Sequence, residues 1–107
     1  MRTIKFRGKN RRNEIFYGDL LRVNGRAQIY DGNYHFVKDE TVAQLIGVDK
    51  NGKEVYEGDK VKRILDMDYD GEWIRVDPAK AWEFEASFND YSAILNEEII
   101  LVKAAGD

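Results

Sequence analysis

Cysteine is absent from the 107-residue sequence, and proline and histidine occur only once each. Without cysteine the chain has neither disulfide bonds nor thiolate metal sites, so carboxylates and His35 are the only side chains left as metal ligands. No apolar run approaches the roughly 18 residues that a membrane span needs, and the N-terminus lacks the apolar core of a signal peptide. We therefore expect no membrane segment, and the composition fits the cytoplasm.

Charge is distributed unevenly along the chain, although the net charge is only −3. Residues 1–63 hold 14 basic and 9 acidic side chains, a net charge of +5, whereas residues 64–107 hold 3 and 11, a net charge of −8. This asymmetry is typical either of a basic face for an anionic partner or of two segments that complement each other within a fold or between subunits. We favour the second interpretation.

Short apolar runs separated by turn signals dominate the first two thirds of the chain. Apolar Ile4 and Phe6 alternate with polar residues, which predicts a strand with a basic outer face, followed by a loop over residues 8–13. The dipeptides Asn24-Gly25 and Asn51-Gly52 are typical of hairpin turns. This pattern predicts a mainly β fold, a small barrel-like or sandwich-like domain of short antiparallel strands that spans residues 1–107.

One eight-residue pattern occurs twice, at residues 14–21 and again at residues 54–61. Each copy reads acid, β-branched, aromatic, variable, Gly, Asp, variable, aliphatic. Glycine accepts backbone angles that other residues resist, and an aspartate can accept the N–H groups of a following turn, so we interpret both copies as turns rather than as active-site residues. With the Asn-Gly hairpin, the predicted structural turn residues are Gly18, Asp19, Asn51, Gly52, Gly58 and Asp59.

Residues 66–77 allow two interpretations. Asp66, Asp68 and Asp70 have the D-x-D-x-D-G spacing of a calcium loop, and Asp77 stands where a bidentate Glu is usual. Three carboxylates around a glycine turn can converge on a hard cation. The alternative is a β-hairpin with its tip at residues 69–71, and we favour it because the preceding segment reads as a strand rather than a helix.

Residues 78–95 are ambiguous as well. Asp77-Pro78 is typical of a helix start, and apolar residues follow it at helical spacing. Against this, Trp82, Phe84 and Phe88 alternate with polar residues, as in a strand with one apolar face. We favour the strand, and in either structure we expect these aromatic side chains in the core. The apolar run at residues 99–102 predicts a further buried strand or an oligomer contact.

Three segments resemble the YopX protein family: residues 4–7, residues 17–21 and above all residues 41–61, where the Asn-Gly turn, Tyr56 and Gly58-Asp59 have the family's spacing. The resemblance implies a small β-rich protein encoded by a bacteriophage or prophage, and hence the cytoplasm of a bacterial host cell. The family has no assigned activity, so the resemblance implies no catalytic residue.

Signatures of catalysis are missing from the sequence, which has no nucleophile elbow, phosphate loop or metal triad, so we expect a non-catalytic protein without a cofactor. Two functions remain open. The first is a phage accessory protein that binds a host or phage protein or self-assembles into a homo-oligomer. The second is nucleic-acid binding, because basic residues cluster beside aromatic ones in the N-terminal strand and loop. That cluster comprises Arg2, Lys5, Arg7, Lys9, Arg11 and Arg12.

Overall fold

The computed structural model describes residues 4–105, of which 47% lie in strands and 11% in helices. Its sheets are antiparallel, which confirms the predicted mainly β class. Contacts divide the chain into two compact units, Met1–Leu45 (unit 1) and Ile46–Asp107 (unit 2). Within residues 4–105 no helix has the length and apolar character that crossing a membrane requires.

Unit 1 is built on four strands and the start of a fifth. These are β1 (Phe6–Lys9), β2 (Ile15–Val23), β3 (Arg26–Tyr30), β4 (Tyr34–Phe36) and β5 (Ala43–Val48), whose last residues belong to unit 2. They form an open sheet in the order β4-β3-β2-β1-β5. The sequence predicted either a barrel-like or a sandwich-like domain, and an open sheet agrees with the sandwich-like one.

Strand alternation gives the sheet of unit 1 two different faces. The inner face forms a core around Ala27, Ile29 and Val37, against which four partly buried side chains pack: Phe6, Phe16, Leu20 and Val42. The opposite face, which we call the outer face, carries large side chains that stay exposed. They are Tyr17, Leu21, Val23, Tyr30, Tyr34 and Phe36.

The turn predicted at Gly18-Asp19 is wrong, because both residues lie inside the nine-residue strand β2. Gly18 is paired with Phe6 of β1 and Asp19 with Tyr30 of β3, so the two neighbouring strands hold this segment extended. A Cβ atom at position 18 would clash with the carbonyl oxygen of Tyr30. The glycine therefore permits a close approach of two strands instead of a bend.

Strand β1 also differs from its prediction, since it includes Gly8 and Lys9, which were expected to start a loop. Both residues pair with β2, and a Cβ atom at Gly8 would crowd the side chain of Val37. Arg7 was expected on a basic outer surface, but its side chain is buried, whereas Ile4 is exposed. The first strand is therefore shifted toward the C-terminus from its predicted position.

Within residues 46–105, unit 2 contains six further strands, one short α-helix and one 3-10 helix (Phe88–Asp90), and unit 1 contains another 3-10 helix (Asp39–Thr41). The strands and the α-helix of unit 2 are β6 (Glu54–Tyr56), β7 (Lys60–Arg63), β8 (Leu65–Met67), β9 (Trp73–Arg75), β10 (Glu83–Glu85), α1 (Tyr91–Leu95) and β11 (Ile99–Lys103). Strand β6 pairs with the end of β5, β7 lies between β10 and β11, and β8 pairs with β9. The core consists of buried aliphatic side chains from these elements, from the end of β5 and from the residue after β10: Ile46, Val55, Val61, Ala86, Ile94 and Ile99.

Two ambiguous segments of the sequence are resolved in unit 2. The hairpin predicted with its tip at residues 69–71 is confirmed by the pairing of β8 with β9. Residues 78–95 contain both candidate structures, because strand β10 precedes helix α1. Phe84 and Phe88 pack on the core, but Trp82 is 89% exposed, so its predicted burial is wrong. It lies just before β10, outside the paired residues.

Asp59 is a fully buried carboxylate in the turn between β6 and β7. One of its carboxylate oxygens accepts the backbone N–H of Tyr56 and the other accepts that of Ala105, each at 2.9 Å. Its backbone carbonyl accepts the N–H of Ala86 at 2.8 Å. Gly58 reaches the turn with a φ of 84°, an angle that glycine adopts without strain. Asp59 thus joins three separate segments of unit 2.

Asp49 is a second buried carboxylate with a similar arrangement. One oxygen accepts the N–H groups of Asn51 and Lys53 within the Asn-Gly turn, and the other accepts the N–H of Leu101, all at 2.9 Å. Hydrogen bonds to an ionised acceptor are stronger than those between neutral groups. The two aspartates therefore fix the turns around β6 to the C-terminal segment.

We predict that Asp59→Asn destabilises the protein by about 2 kcal/mol, since a neutral amide replaces a charged acceptor of two backbone N–H groups and turns one acceptor into a donor. The urea-unfolding midpoint measures this change. Asp70→Asn is the matched control, because Asp70 is an exposed aspartate of the same unit. Equal midpoints for the two variants would contradict a structural role for the buried carboxylate.

Candidate anion-binding groove

A groove of about 470 Å³ lies at one end of the sheet in unit 1. Three segments line it: the loop between β1 and β2, the turn from β2 into β3, and the chain that leaves β4. Four of the lining side chains are cationic, and one, Phe36, is aromatic. The cationic ones are Arg11, Arg12, Arg26 and Lys38.

Asn10 shapes the loop that carries Arg11 and Arg12. Its side-chain oxygen accepts the backbone N–H of Arg12 at 2.9 Å and that of Glu14 at 3.0 Å, while its backbone N–H donates to the Glu14 carbonyl at 3.0 Å. Asn13 has a φ of 63°, an angle that asparagine adopts more readily than most residues. The loop is therefore held by local hydrogen bonds while its two arginine side chains stay exposed.

The other two cations are placed by the strands that follow. Asn24 and Gly25, with φ values of 52° and 78°, form the tight turn that opens β3 at Arg26. Lys38 follows β4, and its backbone N–H donates to the carbonyl of Lys9 at 2.8 Å. These contacts bring residues from separate hairpins to one groove.

The charge of the groove is strongly positive. Its single acidic residue, Asp39, forms a salt bridge of 3.2 Å with Arg22, which is not one of the lining residues. Within residues 4–105, no salt bridge joins Arg11, Arg12, Arg26 or Lys38 to a carboxylate. The four cations are therefore available to an anionic ligand, and guanidinium groups match phosphate oxygens in a two-pronged geometry.

Arg26 also contacts the aromatic ring of the groove. Its guanidinium carbon lies 4.3 Å from the centroid of the Phe36 ring, a distance typical of a cation–π contact. Both side chains are on the outer face, because Arg26, Gln28 and Tyr30 alternate along β3 and Gln28 is paired with Phe36. Two of the side chains that line the groove, Arg26 and Phe36, thus belong to the outer face of the sheet.

The outer face carries more aromatic rings along the β3–β4 hairpin. The rings of Tyr30 and Tyr34 contact each other with centroids 4.8 Å apart. On the inner face of the same hairpin, His35 stacks on Phe16 at 3.8 Å with nearly parallel rings, and its Nε2 lies 3.0 Å from a carboxylate oxygen of Asp31. The hairpin is therefore anchored from its inner side while its outer rings face solvent.

Of the six basic residues predicted to bind nucleic acid, the structure brings Arg11 and Arg12 to the groove. Arg7 is buried, and neither Lys5 nor Lys9 belongs to the groove lining. Arg2 lies outside the described residues. Sequence reasoning missed Arg26, Lys38 and Phe36. The Asn24-Gly25 dipeptide predicted a hairpin turn next to Arg26, but nothing local in the sequence indicated that two hairpins share a groove.

The four aspartates of the possible calcium loop are not brought together. Asp68 accepts the N–H groups of Asp70 and Glu72 inside the β8–β9 turn, and Asp77 accepts that of Ala79 in the next turn. Asp66 accepts the N–H of the residue that follows it. In the part of the chain that the structure describes, no group of three or more acidic or histidine side chains is arranged to hold a metal ion.

Comparison with known proteins finds no matching family model, no similar curated protein and no similar solved structure. The groove and the aromatic outer face are therefore the features from which a function can be inferred.

We predict a low pKa for Asp31 in the β3–β4 turn. The backbone N–H of Asn33 donates to its carboxylate at 3.1 Å, and together with His35 this holds the pKa of Asp31 below its ordinary value of 3.8. Because the folded state favours the ionised form, the stabilisation is complete above pH 3.8 and is lost as the pH falls through the lowered pKa.

Carboxyl ¹³C shifts recorded by NMR across acidic pH measure this value. In His35→Phe, which keeps the ring stacked on Phe16, we expect the pKa of Asp31 to rise toward 3.8 but to stay below it, because the Asn33 N–H remains. The urea-unfolded protein supplies the reference. A native midpoint at or above that of the unfolded chain would disprove the hydrogen-bonded turn.

Proposed function

We propose that this protein binds nucleic acid through the groove of unit 1. The supporting observation is that four cations, Arg11, Arg12, Arg26 and Lys38, line one open groove beside an aromatic ring, and that its one acidic residue is paired elsewhere. Nucleic acids present a regular row of phosphates, and a protein that neutralises them gains free energy as bound counterions are released. This proposal adopts the second of the two functions that the sequence left open.

The net charge of −3 is compatible with such binding. Unit 1, which contains the groove, holds 9 basic and 5 acidic side chains, a net charge of +4. At physiological ionic strength the Debye length is about 8 Å, so a ligand in the groove responds mainly to the charges around it. A locally basic surface can therefore bind phosphates although the whole chain is acidic.

Fluorescence anisotropy with a labelled oligonucleotide tests the proposal. If all four cations contact phosphates of a single strand, the logarithm of the binding constant should fall with the logarithm of salt concentration with a slope of about −3. Arg11→Gln with Arg12→Gln should weaken binding and reduce the slope by about half, since two of four contacts are lost.

Lys53→Gln is the matched control, because it removes an exposed cation from a hairpin of unit 2 and should leave both affinity and slope unchanged. Binding that does not depend on salt, or a control variant that weakens binding as much as the arginine variants do, would refute the groove as the binding site.

The β8–β9 hairpin favours a second candidate function, contact with another protein or with a second copy of this chain. Large apolar side chains are exposed on it, with Tyr69 fully exposed and Trp73 55% exposed. Buried aromatic anchors dominate the energetics of many protein interfaces. This is the binding or self-assembling module that the sequence suggested first, and the YopX resemblance with its phage origin likewise stays a prediction.

If this hairpin mediates self-association, the mass measured by light scattering should exceed the 12.4 kDa of one chain. We expect this mass to rise with protein concentration. Trp73→Lys should restore the monomer because it places a charge in the contact. Leu95→Lys is the control, since Leu95 is exposed on α1, away from the hairpin in sequence. A mass of one chain at every concentration would exclude self-assembly.

A further inference from the structure

We infer that the nucleic acid bound by this protein is a single strand whose bases stack on the outer face of the β3–β4 hairpin. The stacking residues are Phe36 in the groove and the pair Tyr30 and Tyr34 beyond it. This inference rests on the proposed function, since the groove supplies the phosphate contacts, and it adds the class of nucleic acid and the path that the strand follows.

The register of the hairpin places the three rings on one surface. Tyr30 is paired with Tyr34 and Gln28 with Phe36, so all four residues belong to the same face of the two strands. Tyr34 and Phe36 are two residues apart on β4, which separates them by about 6.6 Å along the strand. A ligand that leaves the groove at Phe36 therefore meets Tyr34 next along β4, with Tyr30 beside it on β3.

The rings on this face are accessible. Tyr34 is 66% exposed and Phe36 is 51% exposed. The Arg26 guanidinium covers one side of the Phe36 ring, so a base can stack on the other side of the ring or on the guanidinium plane itself. Exposed aromatic residues next to cations are the arrangement by which β-sheets bind unpaired bases.

A double helix does not fit this arrangement, because its bases are stacked on one another and their faces are covered. Only a strand with unstacked bases can place them against Phe36 and Tyr34 while its phosphates reach Arg11, Arg12 and Lys38. The continuity of the basic groove with the aromatic face thus favours a single strand over a duplex and over an apolar protein segment.

The test compares a labelled single strand of about 12 nucleotides with the duplex of the same sequence, a length within the range of small single-strand-binding folds. We expect the single strand to bind at least about 10-fold more tightly. Tyr34→Leu and Phe36→Leu should each weaken its binding about 10-fold, because a stacking contact is lost, and should leave the salt dependence unchanged.

Tyr69→Leu is the matched control, since it removes a fully exposed tyrosine from unit 2 and should bind like the wild type. Urea-unfolding midpoints show whether the Tyr34 and Phe36 variants keep their fold. Tyr34→Trp supplies a second check, because a larger ring should retain or improve single-strand binding.

Different results refute base stacking on the outer face and phosphate binding in the groove. If the duplex binds as tightly as the single strand, or if Tyr34→Leu and Phe36→Leu bind normally while the arginine variants do not, the groove binds phosphates and the stacking surface is refuted. If neither nucleic acid binds, the proposed function itself is refuted. If polyglutamate binds as tightly as the single strand, and Tyr34→Leu weakens both to the same extent, this face binds an acidic protein segment instead.

Discussion

The register between β2, β3 and β4 is the constraint on which the candidate site depends. Successive side chains of a strand point to opposite faces, so a slip of one residue would move Phe36 and Tyr34 to the inner face and His35 to the outer face. Stacking of His35 on Phe16 and its contact with Asp31 stabilise the observed register from the inner side. The same pairing places Arg26 over Phe36. Core packing and the accessible aromatic surface are therefore two results of one alignment of strands.

Unit 2 is organised by a different kind of interaction. Its elements are short, and two buried carboxylates supply contacts between segments that strand pairing alone does not make. Asp49 and Asp59 each accept backbone N–H groups from their own turn and from the C-terminal segment of the chain. A carboxylate can remain buried where such donors replace water. Asp59, which the sequence indicated as a turn residue, thus has a structural role in the turn between β6 and β7, and Asp49, which the sequence did not single out, has a similar one.

Local signals in the sequence predicted much of this fold. The Asn24-Gly25 and Asn51-Gly52 turns, the β8–β9 hairpin and the last strand all depend on short-range chemistry and occur in the structure. The prediction of a turn at Gly18-Asp19 was wrong, although these residues repeat the pattern of Gly58-Asp59. Their surroundings differ, because the strands paired on both sides of β2 keep it extended. The groove could be predicted only in part. Its loop arginines were visible as a cluster, but Arg26 and Lys38 join them through contacts between hairpins, which no local pattern encodes.

The hydrogen bond between Asp59 and the N–H of Ala105 has a consequence for how the chain folds as it is synthesised. The strands of unit 1 find their partners within the first 45 residues, so their pairing can proceed while the rest of the chain is still being made. Asp59, in contrast, receives the N–H of nearby Tyr56, but the N–H of Ala105 is not present until residue 105 has been synthesised. Synthesis therefore completes the strands that pair in unit 1, and with them the proposed binding surface, before it supplies the second donor of Asp59.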